Sequence, residues 1–300
     1  MQNITYFQAI ILGILQGITE FLPVSSTAHM AIFPQLFLNM RDPGATFSAI
    51  AQLGPIVAII AYFRKDLVRY LQGVLRTKPG SIPRDDVDAR LGWFTVLGTI
   101  PIVIFGLLLK KRIETDFRSL HVIAVALILL GLVLLVAELT GKRTRSLEKM
   151  TFPQAMIIGL AQVIALIPGT SRSGVTITAG LFQGLDRESA ARFSFLLSIP
   201  SITGAGLLKL KDAFHSGARG DLLPSLLGAL VAGVFAYVVV RWFLGFMREH
   251  NTFPFIIYRI ALGIVLLVLL GTGRLKSTLP SDVQAATPTA TRLALASPAR

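Results

Sequence analysis

The fold class this sequence predicts is an all-α polytopic membrane protein, with six transmembrane helices plus two re-entrant helix pairs in an inverted-topology repeat. Three observations predict it. Hydrophobic residues make up 53% of the 300-residue chain and charged residues only 15%, too little charge to solvate a soluble domain of that size. Eight apolar segments follow one another, six of them the length of a bilayer crossing and two of them not. Their order also occurs twice.

The six ordinary spans are read at about 46–63, 91–109, 120–138, 193–210, 222–243 and 254–271. Each is close to the ~20 residues that a 30 Å hydrocarbon core requires. The two exceptions are Tyr6 to Leu38, with Glu20 and His29 as its charge-bearing candidates, and Phe152 to Leu185, with Arg172. At ~1.5 Å per residue each would make a helix of ~50 Å, too long for one crossing and too short for two. Each also carries a proline and hydroxyl-rich break at its middle: Pro23-Val-Ser-Ser-Thr in the first, Pro168-Gly-Thr-Ser-Arg-Ser-Gly in the second. A helix that enters to mid-depth, breaks and returns satisfies those lengths. Irregular backbone at that depth is tolerated only where protein or a wet cavity surrounds it, so each break is expected to line a cavity.

The repeat is visible in register. Shifting the chain by 146 positions brings Gly13 onto Gly159, Gln16 onto Gln162, Ser25 onto Ser171 and Phe47-Ser48 onto Phe193-Ser194. Later, at a shorter spacing, Leu130-Gly-Leu-Val-Leu-Leu-Val136 matches Leu262-Gly-Ile-Val-Leu-Leu-Val268. A broken pair followed by three spans, twice over, places the second half upside down relative to the first. Such an arrangement brings the two breaks together near the bilayer midplane. The membrane domain is therefore 1–272, with halves of about 1–139 and 140–272. Residues 273–300, rich in Ala, Thr, Ser and Pro, read as a disordered tail.

Composition also excludes. The chain has no Cys, which removes disulfides and thiolate metal sites, and its four His argue against a His-rich metal centre. The net charge of +13 does not signal nucleic acid, because the cations sit between apolar stretches (Arg64-Lys65, Lys110-Lys111-Arg112, Lys142-Arg143) where headgroups meet them. No cleavable leader is expected, since Met1 to Thr5 has no basic residue and the first Lys or Arg is Arg41. The face holding 64–90, 139–152, 186–192 and 244–253 carries the small excess of Lys and Arg. The charge rule leans toward a cytoplasmic side there and both termini outside.

The chemistry lies at the breaks. Gln16 and Glu20 are four apart and share a helix face; Ser26 and His29 are three apart and share another. A carboxylate, a hydroxyl and an imidazole can thus converge inside the membrane, where an ionised group costs ~2.5–3.5 kcal/mol or more. Backbone hydrogen bonding alone could account for Ser25 and Thr27, and a structural hydrogen bond for His29. Glu20 has no basic residue near it in sequence to neutralise it. In the second break, Gly169, Ser171, Ser173 and Gly174 can present backbone N–H groups at a helix start beside Arg172, which forms an anion cradle. The structural alternative there is a helix-packing motif with Arg172 snorkelling to the interface. Arg259, beside Tyr258, is a further apolar-segment cation that could equally sit near the interface.

The strings QGITEFLPVSSTAH (16–29) and PGTSRSGVTIT (168–178) closely resemble the two signature motifs of the bacterial undecaprenyl-diphosphate phosphatases linked to bacitracin resistance. ARFSFLLSIPSI and YRIALGIVLL resemble that family too, and the likeness spans residues 5–272. The resemblance implies hydrolysis of undecaprenyl diphosphate to the monophosphate carrier used in cell-wall synthesis, in the bacterial inner membrane; the charge bias above is what would open the site to the periplasmic side. It implies a divalent metal, Mg²⁺ or Ca²⁺, with Glu20 binding the metal or organising water, Ser26 and His29 supplying nucleophile and acid–base function, and Arg172 holding phosphate. Gln16, Ser25, Thr27, Gly169, Ser171, Ser173 and Gly174 would complete the substrate site. The expected partners are the lipid substrate, membrane lipid and, in a homodimer, a second copy of the chain. Two positions depart from the family pattern: Gln16 stands where many members have Glu, and Ala28 where Gly is common. The rival readings are a polyprenyl-phosphate flippase or transporter, which shares the inverted architecture, and a structural scaffold, which leaves the ionisable residues without a role.

Overall fold

Residues 4–38, 40, 44–77, 82, 85–114, 117, 119–215 and 222–275 are described in the structure, a computed structural model. The chain runs α1 (Tyr6–Thr19), α2 (Ser26–Phe37), α3 (Gly44–Arg76), α4 (Val87–Leu108), a short α5 (Lys110–Glu114) and α6 (Leu120–Thr140). It continues through α7 (Phe152–Ala161), α8 (Arg172–Phe182), α9 (Arg187–His215), α10 (Leu222–Glu249) and α11 (Phe253–Gly271). Helices α3, α4, α6, α9, α10 and α11 are long and apolar enough to cross a membrane, matching the six expected spans. Tyr6 to Leu38 and Phe152 to Leu185 are each broken into two shorter helices, at the positions the sequence indicated. A single 3₁₀ turn, Gln162–Leu166, extends α7 into its break. The expected tail begins within the described residues only as far as Leu275, which is buried where the chain turns back against α11; the rest of 273–300 lies outside them.

Local chemistry starts the two broken pairs in the same way. Thr5 and Gln8 form a reciprocal cap at the head of α1, Gln8 N donating to the Thr5 hydroxyl (3.2 Å) and Thr5 N to Gln8 Oε1 (3.0 Å). Thr151 and Gln154 stand 146 positions later at the head of α7, and Thr151 N donates to Gln154 Oε1 (2.9 Å). Both pairs satisfy main-chain donors that no helical turn can reach.

Packing repeats the same relation. Helix α1 lies along α10 of the other half, and α7 lies along α4. The approach is close because glycine faces glycine: a Cβ on Gly13 would strike the carbonyl of Gly228, and one on Gly159 the carbonyl of Gly98. Helices α6 and α11 pack reciprocally, since a Cβ on Gly131 would meet Ile260 (3.0 Å) while one on Gly263 would meet Ile128 (2.6 Å). Small residues of this kind let membrane helices approach backbone to backbone, where dispersion rather than hydrophobic transfer holds them. Each half thus clasps the other, and the core of Phe21, Phe94, Phe193, Phe195 and Phe243 fills the space between.

The face carrying the excess cations is tied by ion pairs. The Glu138 carboxylate, buried at the end of α6, accepts from Arg143 (2.7 Å), from Arg187 and from the Thr252 hydroxyl (2.7 Å), joining α6, α9 and the start of α11. Asp66 accepts from Arg69 (2.8 Å) and Arg192 (3.0 Å), joining α3 to α9.

The glycine contacts predict an asymmetric response to added volume. Gly13→Val and Gly159→Val should each cost about 1–3 kcal/mol or more by forcing the backbones apart. Gly245→Ala, with nothing near its Cβ position, should be neutral. Thermal unfolding in detergent checks all three.

Candidate active site

The two breaks meet. Glu20 closes α1, and its Oε1 accepts from Arg172 Nη2 at 2.9 Å, although 152 positions separate them. Its other oxygen accepts from Ser26 Oγ (2.8 Å) and from Gln16 Nε2 (2.7 Å). The side chains of Glu20 and Arg172 are 8% and 14% exposed, so the pair is largely out of solvent and removing one partner would strand the other. Gln16 suits this arrangement: a neutral amide can donate to Glu20, whereas a second carboxylate would repel it.

Backbone shape aims the helices at this point. Ser25 and Ser171, the caps of α2 and α8, both hold φ near the positive range that side chains rarely adopt (72° and 65°). Each hydroxyl accepts from the main-chain N–H three residues on, Ala28 N and Gly174 N. Each also contacts the hydroxyl two residues on, Thr27 (3.0 Å) and Ser173 (3.2 Å). The strained caps turn the chain sharply, so the N-termini of α2 and α8 both face the junction. Two helix N-termini bring partial positive charge to one place, which suits an anion.

The breaks are also stitched to each other. Gly169 N donates to Thr27 Oγ1 (3.2 Å), and Ser173 Oγ donates to the Leu22 carbonyl (2.9 Å). Gly169 has φ +94° and lies against the Ile123 backbone, so no side chain fits there. Gly174 has no room either, because a Cβ would strike the Arg259 guanidinium. Glu20, Ser26, Thr27 and Arg172 retain some exposure at the junction, Thr27 the most, and they mark its accessible side.

His29 takes a different place from the one its spacing suggested. Its Nδ1 contacts the Ser25 carbonyl (2.8 Å) and its Nε2 contacts the Tyr258 hydroxyl (2.6 Å), with the two rings stacked at 5.6 Å. A carbonyl only accepts, so Nδ1 carries the proton and Nε2 accepts from Tyr258. The hydroxyl engaged with a base at the junction is that of Ser26, with Glu20. Tyr258 and Arg259 are the residues that sequence reasoning left outside the site. Arg259 is fully buried between the breaks, donating to the carbonyls of Thr170 (2.7 Å) and Pro23 (3.4 Å). The signal was present in an Arg within an apolar span, but its position near the start of α11 also fitted the membrane surface.

Among the described residues no group of three or more His, Asp or Glu is placed to cage a metal. Glu20 is the one carboxylate at the junction, with Gln16 beside it. That donor set fits Mg²⁺, which commonly takes one or two carboxylates and completes its shell with water and substrate phosphates.

Comparison with known proteins agrees over most of the chain. The family profile described as bacitracin resistance protein BacA matches residues 9–265. A Myxococcus xanthus protein named undecaprenyl-diphosphatase is 49% identical over 268 residues, covering 89% of this chain and 90% of its own. One of the same name from Chloroherpeton thalassium is 49% identical over 279 residues, covering 90% and 98%. Another, from Prosthecochloris aestuarii, is 47% identical over 280 residues, covering 90% and 99%.

The cap geometry makes its own prediction. Ser171→Gly loses a hydroxyl but relieves a positive φ, so stability should change by only a few tenths of a kcal/mol. Ser171→Ala loses the cap and keeps the strain, at about 1–2 kcal/mol. Denaturation midpoints of the two variants, compared with the parent, check this order.

Proposed function

The chain belongs to the bacitracin resistance protein BacA family, and from that membership and the geometry of the junction we propose how it works as an undecaprenyl-diphosphatase. It is a membrane hydrolase that converts undecaprenyl diphosphate to undecaprenyl phosphate and inorganic phosphate. The reaction returns the lipid carrier to cell-wall synthesis, and the family name ties it to bacitracin resistance. The observation that carries the mechanism is the triple contact on Glu20, with Arg172, Ser26 and Gln16 all donating to one buried carboxylate.

In this reading the diphosphate enters with its charge toward the N-termini of α2 and α8, and its tail lies in lipid between helices. Phosphate oxygens compete with Glu20 for the Arg172 guanidinium, which pairs with phosphate bidentately. Drawing Arg172 onto the phosphate leaves Glu20 with Ser26 hydrogen-bonded to it, placed to take the hydroxyl proton once the substrate is seated. Ser26 Oγ then passes its proton to Glu20 and attacks the terminal phosphorus, and the bond to the bridging oxygen breaks with undecaprenyl phosphate leaving. Water cleaves the phosphoserine and releases inorganic phosphate. Attack by water in place of Ser26, with Glu20 as its base, is the alternative that the same contacts support. His29, locked to Tyr258, holds the start of α2 in place and donates no proton to Ser26. Glu20, with Gln16 adjacent, would hold Mg²⁺, which would supply neutralisation of diphosphate charge when bound.

We place the broken pairs as re-entrant elements of two inverted halves, 1–139 and 140–272, in the bacterial inner membrane. The cation-rich face is then cytoplasmic and the junction opens to the periplasmic side, through which a diphosphate released outside would be received. A pure transporter would have little use for a hydroxyl hydrogen-bonded to a buried carboxylate beside its anion.

Phosphate release from a C15 or C55 diphosphate by purified protein, with Mg²⁺ and with EDTA, tests the reading. Glu20→Ala, Ser26→Ala and Arg172→Ala should each lower kcat/KM about 10²–10⁴-fold, and EDTA should abolish release. Absence of release from folded parent protein would overturn the hydrolase reading. Full activity in Ser26→Ala would overturn the serine step and leave water as the nucleophile.

A further inference from the structure

Arg259 is fully buried, and among the described residues it has no carboxylate partner. Its two Nη atoms donate to the carbonyls of Thr170 and Pro23, one in each break, and its Nε finds no acceptor. Glu20 and Arg172 offset each other, and His29 meets both of its contacts as the uncharged Nδ1–H tautomer, with Tyr258 donating to Nε2. The junction therefore holds one positive charge in excess, kept out of water at a cost that two neutral carbonyls do not offset. The location of that charge is informative. The guanidinium lies against the first turn of α8, so close that Gly174 admits no Cβ, and this turn is the one that presents Arg172. A buried cation behind a helix N-terminus deepens the positive potential on the other side of that turn, in a region of low dielectric where the effect is strong.

We infer that Arg259 is a positioning residue that supplies the unbalanced charge for which the diphosphate headgroup is the counter-ion, acting through the first turn of α8 without touching substrate. The inference rests on the phosphatase reading for its substrate, but its electrostatic part can be read with an anion alone. A purely mechanical staple makes a different demand. It needs two N–H donors at fixed positions and is indifferent to charge, whereas a counter-charge needs only a cation in that place.

Two substitutions separate these roles. Arg259→Lys keeps the charge and loses the planar fork; Arg259→Gln removes the charge and keeps an N–H₂ that can serve one carbonyl. Both would be purified in detergent beside the parent. Thermal unfolding would be followed with and without inorganic pyrophosphate, and KM and kcat measured on farnesyl diphosphate. The inference predicts that pyrophosphate raises the Tm of the parent and of Arg259→Lys but not of Arg259→Gln. It also predicts a KM raised about tenfold or more in Arg259→Gln, with kcat less affected, and rescue toward the parent KM in Arg259→Lys. Equal loss in both variants, with a lowered Tm even without anion, would make Arg259 a staple and overturn the inference. So would a pyrophosphate response that survives in Arg259→Gln. A parent that responds to pyrophosphate, loses the response in Arg259→Gln and yet releases no phosphate would support the charge role while removing the hydrolase reading.

Discussion

Glu20 and Arg172 come from helix breaks 152 positions apart, and their ion pair is the contact on which the arrangement of the site depends. Either charge held alone in the bundle would cost several kcal/mol, as the unpaired Arg259 does, and pairing spares the site that cost a second and third time. Each of the two is therefore placed by the other, and the pair forms only where the two breaks meet. The geometry that makes the meeting possible is repeated in both halves: a capped helix, a glycine pressed on the other half's glycine, a strained serine cap and a second helix pointing its N-terminus inward. Fold and site are consequently one problem here. Loosening the glycine contacts would move the breaks, and moving the breaks would leave Glu20 and Arg172 unpaired.

The pair also links the resting state to the reaction. In the proposed mechanism the guanidinium of Arg172, held by Glu20, is an anion site already engaged by a carboxylate. In that mechanism diphosphate takes Arg172 and leaves Glu20 with Ser26 and Gln16.

Much of this was legible in the sequence because membrane constraints are severe. Segments of 33 and 34 residues with a proline and hydroxyls at their middle cannot be ordinary spans, and the structure breaks both where those residues stand. The register shift of 146 that aligned Gly13 with Gly159 and Ser25 with Ser171 reappears as matched glycine contacts and matched positive φ values. Glu20 and Arg172 stood out because an ionisable group in such a segment needs a partner, though spacing alone could not say that each was the other's. Side-chain direction was not legible. His29 shares a helical face with Ser26, yet a carbonyl and Tyr258, 229 positions away, claim both of its nitrogens. Arg259 was ambiguous for a similar reason, since depth along α11 is set by how that helix packs on α6 and not by its own composition.

The most direct test of the account is an experimental structure of the protein with a methylene-bridged, non-hydrolysable analogue of farnesyl diphosphate. The account predicts the terminal phosphonate between the N-termini of α2 and α8, with Arg172 turned from Glu20 onto its oxygens and Ser26 Oγ facing the phosphorus. A headgroup seated elsewhere, with the Glu20–Arg172 pair intact, would contradict it.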